Sequence, residues 1–149
     1  MTMRRILLTA AALLFSAATL AAQQNLVMIQ VLDGYTGVAI ARHQVTLSIG
    51  AAPADAKARK SIMTYYTDAR GVLMIPLPAD STGWLQLWTA DMHTCELHPE
   101  DDAFSLAKIV STGVQAPNIC SKLSTRISPG HFVIYMREFT NAEHAAMKK

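Results

Sequence analysis

The densest group of side chains able to do chemistry lies in the segment His93-Thr-Cys95-Glu96-Leu-His98. Imidazole, thiolate and carboxylate groups all bind Zn²⁺ or Cu²⁺, so this segment could hold a metal ion in a metal-binding enzyme or chaperone. Its spacing, however, matches no zinc signature, and Cys95 has another available partner in Cys120. The pattern favours a hydrophilic loop anchored by a disulfide and leaves a metal site on His93 and His98 as the weaker hypothesis.

Cys95 and Cys120 are the only two cysteines of the chain, and 25 residues separate them. In an oxidising compartment, an even number of cysteines in a small domain most simply forms disulfides. Closing a loop of this length stabilises the folded state by about 3–4 kcal/mol on the chain-entropy model. We therefore predict a disulfide between Cys95 and Cys120, with free buried thiols or a metal site as the alternatives.

Trp84, Gln86 and Trp88 alternate along a predicted strand and therefore share one of its faces. A pair of exposed indole rings suits stacking on sugar rings or contact with a partner protein, so these residues are a candidate binding face. The two leucines between them occupy the opposite face and are the expected core. In the competing interpretation, the second sheet or residues 91–118 cover the tryptophans, which then belong to the core.

The sequence contains no recognisable arrangement for catalysis. Its serines are scattered, without the glycine pattern of a nucleophile elbow. An iron site of two tyrosines and two histidines finds no support in the spacing of these residues. We therefore predict no catalytic, cofactor-binding or metal-binding residues, and a protein that is not an enzyme.

The first 22 residues have the pattern of a secretory signal peptide. Arg4 and Arg5 precede an apolar run, and Ala21 and Ala22 are small residues suited to a cleavage site. The run is short and alanine-rich for a membrane-spanning helix. We expect a secreted or periplasmic protein that begins near Gln23 and has no integral membrane span after cleavage; a leader kept as an anchor is the alternative.

The charge balance argues against nucleic-acid binding. The chain has 13 Lys and Arg residues against 11 Asp and Glu residues, but two of the arginines lie in the leader, so the mature chain is neutral. A nucleic-acid-binding protein would carry a basic patch or stripe. The expected partner is an unidentified protein or polysaccharide of the cell envelope, and the sequence leaves the oligomeric state open.

Short apolar segments with a period of two predict a protein built mainly of strands. In the first of them Val27, Ile29 and Val31 share one face. The turn from Asp68 to Gly71 predicts that the third and fourth strands form a hairpin. The predicted strands cover residues 25–33, 44–49, 62–67, 72–77, 84–89 and 131–139.

Three further segments have different patterns. Residues 50–60 are rich in Ala, Pro and charge and are predicted to be an exposed loop. Residues 104–110 are predicted to be a helical turn or a short strand. In the tail, residues 140–149, Thr140 and Glu143 form a capping-box signature that predicts a short helix.

This arrangement predicts the fold class. About seven short strands with glycine turns and almost no long helix indicate an antiparallel β-sandwich. A mature chain of this length buries roughly two-thirds of its unfolded surface, which suits one core. We predict a single domain over residues 23–139.

Three motifs resemble the carboxypeptidase regulatory-like domain. Residues 31–40 (VLDGYTGVAI) and 45–47 (VTL) are similar to the V-x-D-x-x-T-G-x-P-I and V-x-L strands of that family, and residues 67–71 (TDARG) are similar to its T-D-x-x-G turn. Ala39 stands where the family usually has proline. The resemblance covers residues 26–77 and implies a seven-stranded Greek-key sandwich similar in topology to transthyretin.

The second half of the chain looks like small secreted bacterial proteins of the same type, in residues 112–120 and 129–137. The resemblance implies a secreted, non-catalytic protein and brings no catalytic residues with it. We expect a structural or protein-interaction module. The alternative is a carbohydrate-binding module that uses the candidate binding face.

Overall fold

The computed structural model describes residues 25–77, 82–96 and 103–148. The predicted leader, residues 1–22, and His98 lie outside the described residues. The described part is mainly β-structure arranged in two sheets, which confirms an all-β sandwich-like fold. None of its helices is long and apolar enough to cross a lipid bilayer.

Nine strands and three helices are present in the described residues. In chain order they are β1 (Asn25–Asp33), β2 (Gln44–Gly50), α1 (Pro53–Lys57), β3 (Ile62–Tyr66), β4 (Val72–Leu77), β5 (Trp84–Trp88), β6 (Met92–Thr94), β7 (Phe104–Ser105), α2 (Leu106–Thr112), β8 (Val114–Gln115), β9 (His131–Glu138) and α3 (Asn141–Met147).

The larger sheet is mixed, so the predicted purely antiparallel arrangement is wrong. Its order is β4-β1-β9-β6, with β8 also paired to β9. β1 runs antiparallel to β4 but parallel to β9, with Ile29 beside Phe132, and β8 also runs parallel to β9. The predicted number of about seven strands is low because β6, β7 and β8 have only two or three residues each, too few to show an alternating pattern.

The predicted hairpin of the third and fourth strands is wrong. β3 pairs with β2 in the smaller sheet, whose order is β3-β2-β5-β7, and β4 pairs with β1 in the larger one. Asp68 shapes the connection, because its Oδ1 accepts the backbone N–H groups of Arg70 (2.8 Å) and Val72 (2.9 Å). The Gly71 carbonyl then accepts the N–H of Val31 (2.8 Å). The turn is thereby docked on β1, and the chain crosses between sheets.

The core lies between the two sheets and uses the alternating side chains that the sequence predicts. Val27, Ile29 and Val31 of β1 are fully buried. Leu85 and Leu87 of β5 belong to the same buried cluster. The period of two along β1 and β5 therefore identifies the inward face of these strands correctly.

β9 is buried on both faces, which explains its uninterrupted apolar sequence. Phe132 and Ile134 point into the core between the sheets. Val133 and Tyr135 belong to a second, smaller cluster that includes Cys95. The outer side of the larger sheet is therefore covered at β9.

The predicted tail helix is present as α3. The Thr140 hydroxyl accepts the N–H of Glu143 (3.3 Å), and the Glu143 carboxylate accepts the N–H of Thr140 (2.7 Å), which completes the capping box. The segment predicted as a helical turn or a short strand contains both, because β7 leads directly into α2.

Candidate functional site

A disulfide joins Cys95 and Cys120, which confirms the sequence prediction. Their Cα atoms are 5.4 Å apart, and Cys95 is buried just after β6. The Cys95 N–H donates to the Tyr135 carbonyl of β9 (2.8 Å), and the Cys95 carbonyl accepts the N–H of Ile119 (2.8 Å). The loop that carries Cys120 is therefore attached to the sheet by a covalent bond and by backbone hydrogen bonds.

Asn118 and Ser121 clamp this loop to the turn that follows β1. The Asn118 amide donates to the Gly34 carbonyl (3.0 Å), and the Ser121 hydroxyl donates to the same oxygen (2.6 Å). Asn118 also donates to the Leu123 carbonyl (3.2 Å). Gly34 is required at this point because a Cβ there would overlap the Cys95 sulfur. The turn and the loop are thus held as one unit.

Asp33 preforms the turn. Its Oδ1 accepts the N–H of Tyr35 (3.0 Å) and both the N–H (2.7 Å) and the hydroxyl (2.8 Å) of Thr36. Burial raises the pKa of Asp33, but the hydrogen bonds from Thr36 and Tyr35 outweigh burial and hold this pKa below its ordinary value. Gly37 follows at φ 72°, a backbone conformation that favours glycine.

Four large apolar side chains are exposed on this turn and loop: Tyr35 (59%), Val38 (64%), Ile119 (56%) and Leu123 (40%). We call these four residues the disulfide-braced patch. The Leu123 Cδ1 lies 3.6 Å from the position that a Cβ would take at Gly37, so the loop and the turn adjoin. Contiguous exposed apolar patches often mark interaction sites, which makes this turn and loop a candidate surface.

The candidate binding face on β5 is partly covered. Trp84 and Trp88 are half-buried, and Gln86 between them is 1% exposed. Arg59 lies over this face: its Nε donates to Gln86 Oε1 (3.2 Å), and its guanidinium carbon is 4.1 Å from the centroid of the Trp88 ring. This cation–π contact occupies a ring face that could otherwise stack on a sugar. A role in binding stays a prediction and requires Arg59 to move.

The cover comes from residues 50–60, and their prediction as an exposed loop is wrong at Ala56. This residue lies in α1 and is fully buried. Gly50 allows the close approach, because a Cβ at Gly50 would overlap the Ala56 backbone. Pro53 at the start of the helix was the available sequence signal, since proline is favoured in a first helical turn.

Of the histidine pair proposed as a weak metal site, only His93 lies within the described residues, so the pair itself is not tested. His93 Nε2 lies 3.6 Å from Glu143 Oε1, and the His93 ring packs edge-on against Phe139 with 4.3 Å between centroids. Cys95 belongs to the disulfide. Among residues 25–77, 82–96 and 103–148, no three His, Cys, Asp or Glu side chains are grouped to hold a metal ion.

An ion pair between Arg137 and Glu143 fixes α3 to the sheet. Arg137 donates two hydrogen bonds to the Glu143 carboxylate (2.8 and 2.7 Å). These bonds and the Thr140 N–H hold the pKa of Glu143 far below its ordinary value of 4.5. No side chain of α3 is buried, so polar contacts attach this helix more than apolar burial does.

A cavity of about 400 Å³ opens beside α3. Inside it, His43 Nε2 lies 3.0 Å from Asp91 Oδ1. Its carboxylates and imidazoles could accept hydrogen bonds from a small polar or cationic molecule. Sequence reasoning missed this cavity because its residues come from separate segments and form no local motif. The lining consists of Asp33, Ile40, His43, Asp91, Met92, Glu138 and His144.

No protein family, curated protein or solved structure matches this chain. The resemblance to the carboxypeptidase regulatory-like domain therefore stays a prediction that rests on the three motifs. Asp33 and Asp68, which belong to those motifs, both cap turns in the structure. The motif residues thus have a local structural role in this protein.

Proposed function

We propose that the protein is a non-catalytic module of the cell exterior, secreted or periplasmic, that binds another protein through the disulfide-braced patch. The observation that carries the proposal is the construction of this patch. The disulfide fixes the loop of Ile119 and Leu123 to the residue that follows β6, and two hydrogen bonds to the Gly34 carbonyl join that loop to the turn after β1.

The fixed backbone of the disulfide-braced patch lowers the entropy cost of binding a partner. An interface made from mobile loops loses conformational entropy on binding, about 0.5–1.5 kcal/mol for each immobilised side chain. Here the backbone under Tyr35 and Ile119 is already fixed by Asp33 and by the Cys95 carbonyl. A partner with a matching apolar surface would therefore bind with little ordering of this protein's backbone.

The leader pattern and the disulfide support an oxidising compartment outside the cytoplasm. The motif resemblance supports a non-catalytic sandwich. On this proposal, residues 23–139 form a carboxypeptidase regulatory-like domain with the Greek-key, transthyretin-like connections of that family. A carbohydrate-binding module that uses Trp84, Gln86 and Trp88 remains the alternative.

A quantitative pull-down from an envelope fraction tests the proposed surface. The bait variant Val38→Ser/Ile119→Ser removes two exposed apolar groups of the patch. Met74→Ser is the matched control, because Met74 is 44% exposed and lies on β4, outside the patch. We expect proteins retained by the wild type and by the control to be lost with the double variant. Equal retention by all three baits, with equal melting temperatures, would contradict the proposal.

A further inference from the structure

Strand β3 is an unprotected edge of the smaller sheet. It pairs with β2 on one side, and no strand within the described ranges pairs with its other side. The other edges are blunted: β4 contains Pro76, and β6, β7 and β8 have three residues or fewer. β3 reads IMTYY, with neither proline nor charge. Such an edge is a template for pairing with another strand.

One hydrogen bond identifies which backbone groups of β3 point away from β2. The Thr67 N–H donates to the His43 carbonyl (3.0 Å), next to the register pair of Tyr66 with Gln44. In an antiparallel ladder, bonded and non-bonded pairs alternate. Tyr66, Thr64 and Ile62 are therefore the non-bonded positions toward β2, and their N–H and C=O groups face the open edge.

We propose that two copies of this protein pair antiparallel through β3, about a two-fold axis at Thr64. In this register Thr64 lies opposite Thr64 of the second copy, and Ile62 lies opposite its Tyr66. Every residue in these pairs is one whose backbone groups face the open edge. All six outward groups of each strand are thus satisfied, and the two sheets join into one.

The side chains are compatible with this register. Ile62 (57% exposed) and Tyr66 (66% exposed) come together across the axis, and aromatic pairs with β-branched residues are favourable between strands. Just beyond the strand ends, the register brings Lys60 toward Asp68 of the second copy, so the flanking charges are opposite. No like charges face each other along β3.

The proposed pairing joins two copies and leaves no β3 edge free for a third. Each copy offers one such edge in the described residues, and a two-fold contact uses the same edge of both copies. The product is therefore a dimer and not a fibre. β3 is separate from the four residues of the disulfide-braced patch, so the two surfaces can be tested independently.

A charge-swap experiment tests the dimer. Sedimentation velocity of the disulfide-bonded mature chain over a series of concentrations should show a monomer–dimer equilibrium. Thr64→Lys alone and Thr64→Glu alone each place like charges opposite one another and should weaken dimerisation by about fivefold. An equimolar mixture should restore dimerisation to at least the wild-type level, because Lys then faces Glu.

Thr64→Pro gives a second, independent test. The Thr64 N–H points away from β2, so proline removes an outward donor without removing a bond of the ladder. We expect a folded monomer, with a near-ultraviolet circular dichroism spectrum like that of the wild type. A wild type that sediments as a monomer at every concentration would overturn the proposal. So would a mixture of the charge variants that dimerises no better than either one alone, or a folded proline variant that still forms the dimer.

Discussion

At the scale of single residues, Arg59 determines how much of Trp88 on β5 is available as a surface. It bonds Gln86 and stacks on Trp88 while its own backbone lies in the left-handed region at φ 51°. A non-glycine residue in that region costs of order 1 kcal/mol, so its contacts must offset this strain. Arg59 is therefore a structural cover of Trp88 and Gln86.

Arg59→Ala should lower the free energy of unfolding by about 1 kcal/mol, because it removes the cation–π contact and the bond to Gln86. Urea denaturation measures this change. Arg42→Ala is the matched control, since Arg42 is exposed and also has a positive φ, of 54°. An equal effect of the two substitutions would show that backbone conformation, and not the cover, is responsible.

Trp88→Ala discriminates between packing and binding. Removing a buried large aromatic side chain costs about 3–5 kcal/mol, and Trp88 is half-buried, so we expect at least about 2 kcal/mol of destabilisation. Thermal unfolding monitored by circular dichroism measures this loss. A variant that melts within a degree or two of the wild type, yet no longer binds a polysaccharide column that retains the wild type, would favour the carbohydrate-binding alternative.

At the scale of elements, the disulfide should stabilise the loop that contains Asn118 and Ser121 as well as the whole fold. Replacing both Cys95 and Cys120 by Ser should lower the free energy of unfolding by about 3–4 kcal/mol, measured in urea. Amide hydrogen exchange at Ile119 should also become faster, because its acceptor is the Cys95 carbonyl. Unchanged exchange at Ile119 would show that Asn118 and Ser121 hold the loop without the disulfide.

The attachment of α3 should depend on pH. Because the pKa of Glu143 is far below its ordinary value of 4.5, its ion pair contributes fully above that value and is lost as the pH falls below it. Amide exchange in residues 141–147 should therefore be steady from neutral pH to about pH 5 and then accelerate relative to the intrinsic rate.

Glu143→Gln should release α3 at neutral pH and remove this dependence on acid. Glu138→Gln is the control, because Glu138 is exposed. His93 Nε2 also lies 3.6 Å from Glu143 Oε1, so His93→Gln is a second control for the assignment. Acceleration of exchange already between pH 7 and pH 6 would contradict the assignment to Glu143.

The strands could be predicted from sequence far better than their pairing. The period of two locates β1 and identifies its buried face, because a half-buried strand must alternate. Which strands pair depends on which strand the connecting turn contacts. The Asp68–Gly71 turn has the composition of a hairpin, but the bond from Val31 to the Gly71 carbonyl directs β4 to the other sheet. Long-range contacts of this kind leave no local signature.

The features of the candidate site also differ in how well they could be predicted from the sequence. The disulfide follows from two cysteines and a leader pattern, so it could be predicted. The disulfide-braced patch could not, because it depends on Asn118 and Ser121 reaching Gly34, more than 80 residues away. The contact of Arg59 with Trp88 could not be predicted either, because the composition of residues 50–60 suggests an exposed loop.

At the scale of the whole molecule, export determines whether the disulfide can form. The leader pattern predicts a mature protein that begins within two residues of Gln23. N-terminal sequencing of the protein from its native host measures this position. An intact Met1 on cytosolic protein would contradict export and would remove the oxidising compartment on which the proposed function depends.

Site-specific photo-crosslinking in the native host tests the proposed interaction surface most directly. A photoreactive phenylalanine analogue placed at Val38 or at Ile119 should form a discrete adduct with an envelope protein, and reduction or removal of the disulfide should diminish it. The same probe at Met74 should form no such adduct. Absence of adducts at both patch positions, or the same adduct at Met74, would contradict binding through the disulfide-braced patch.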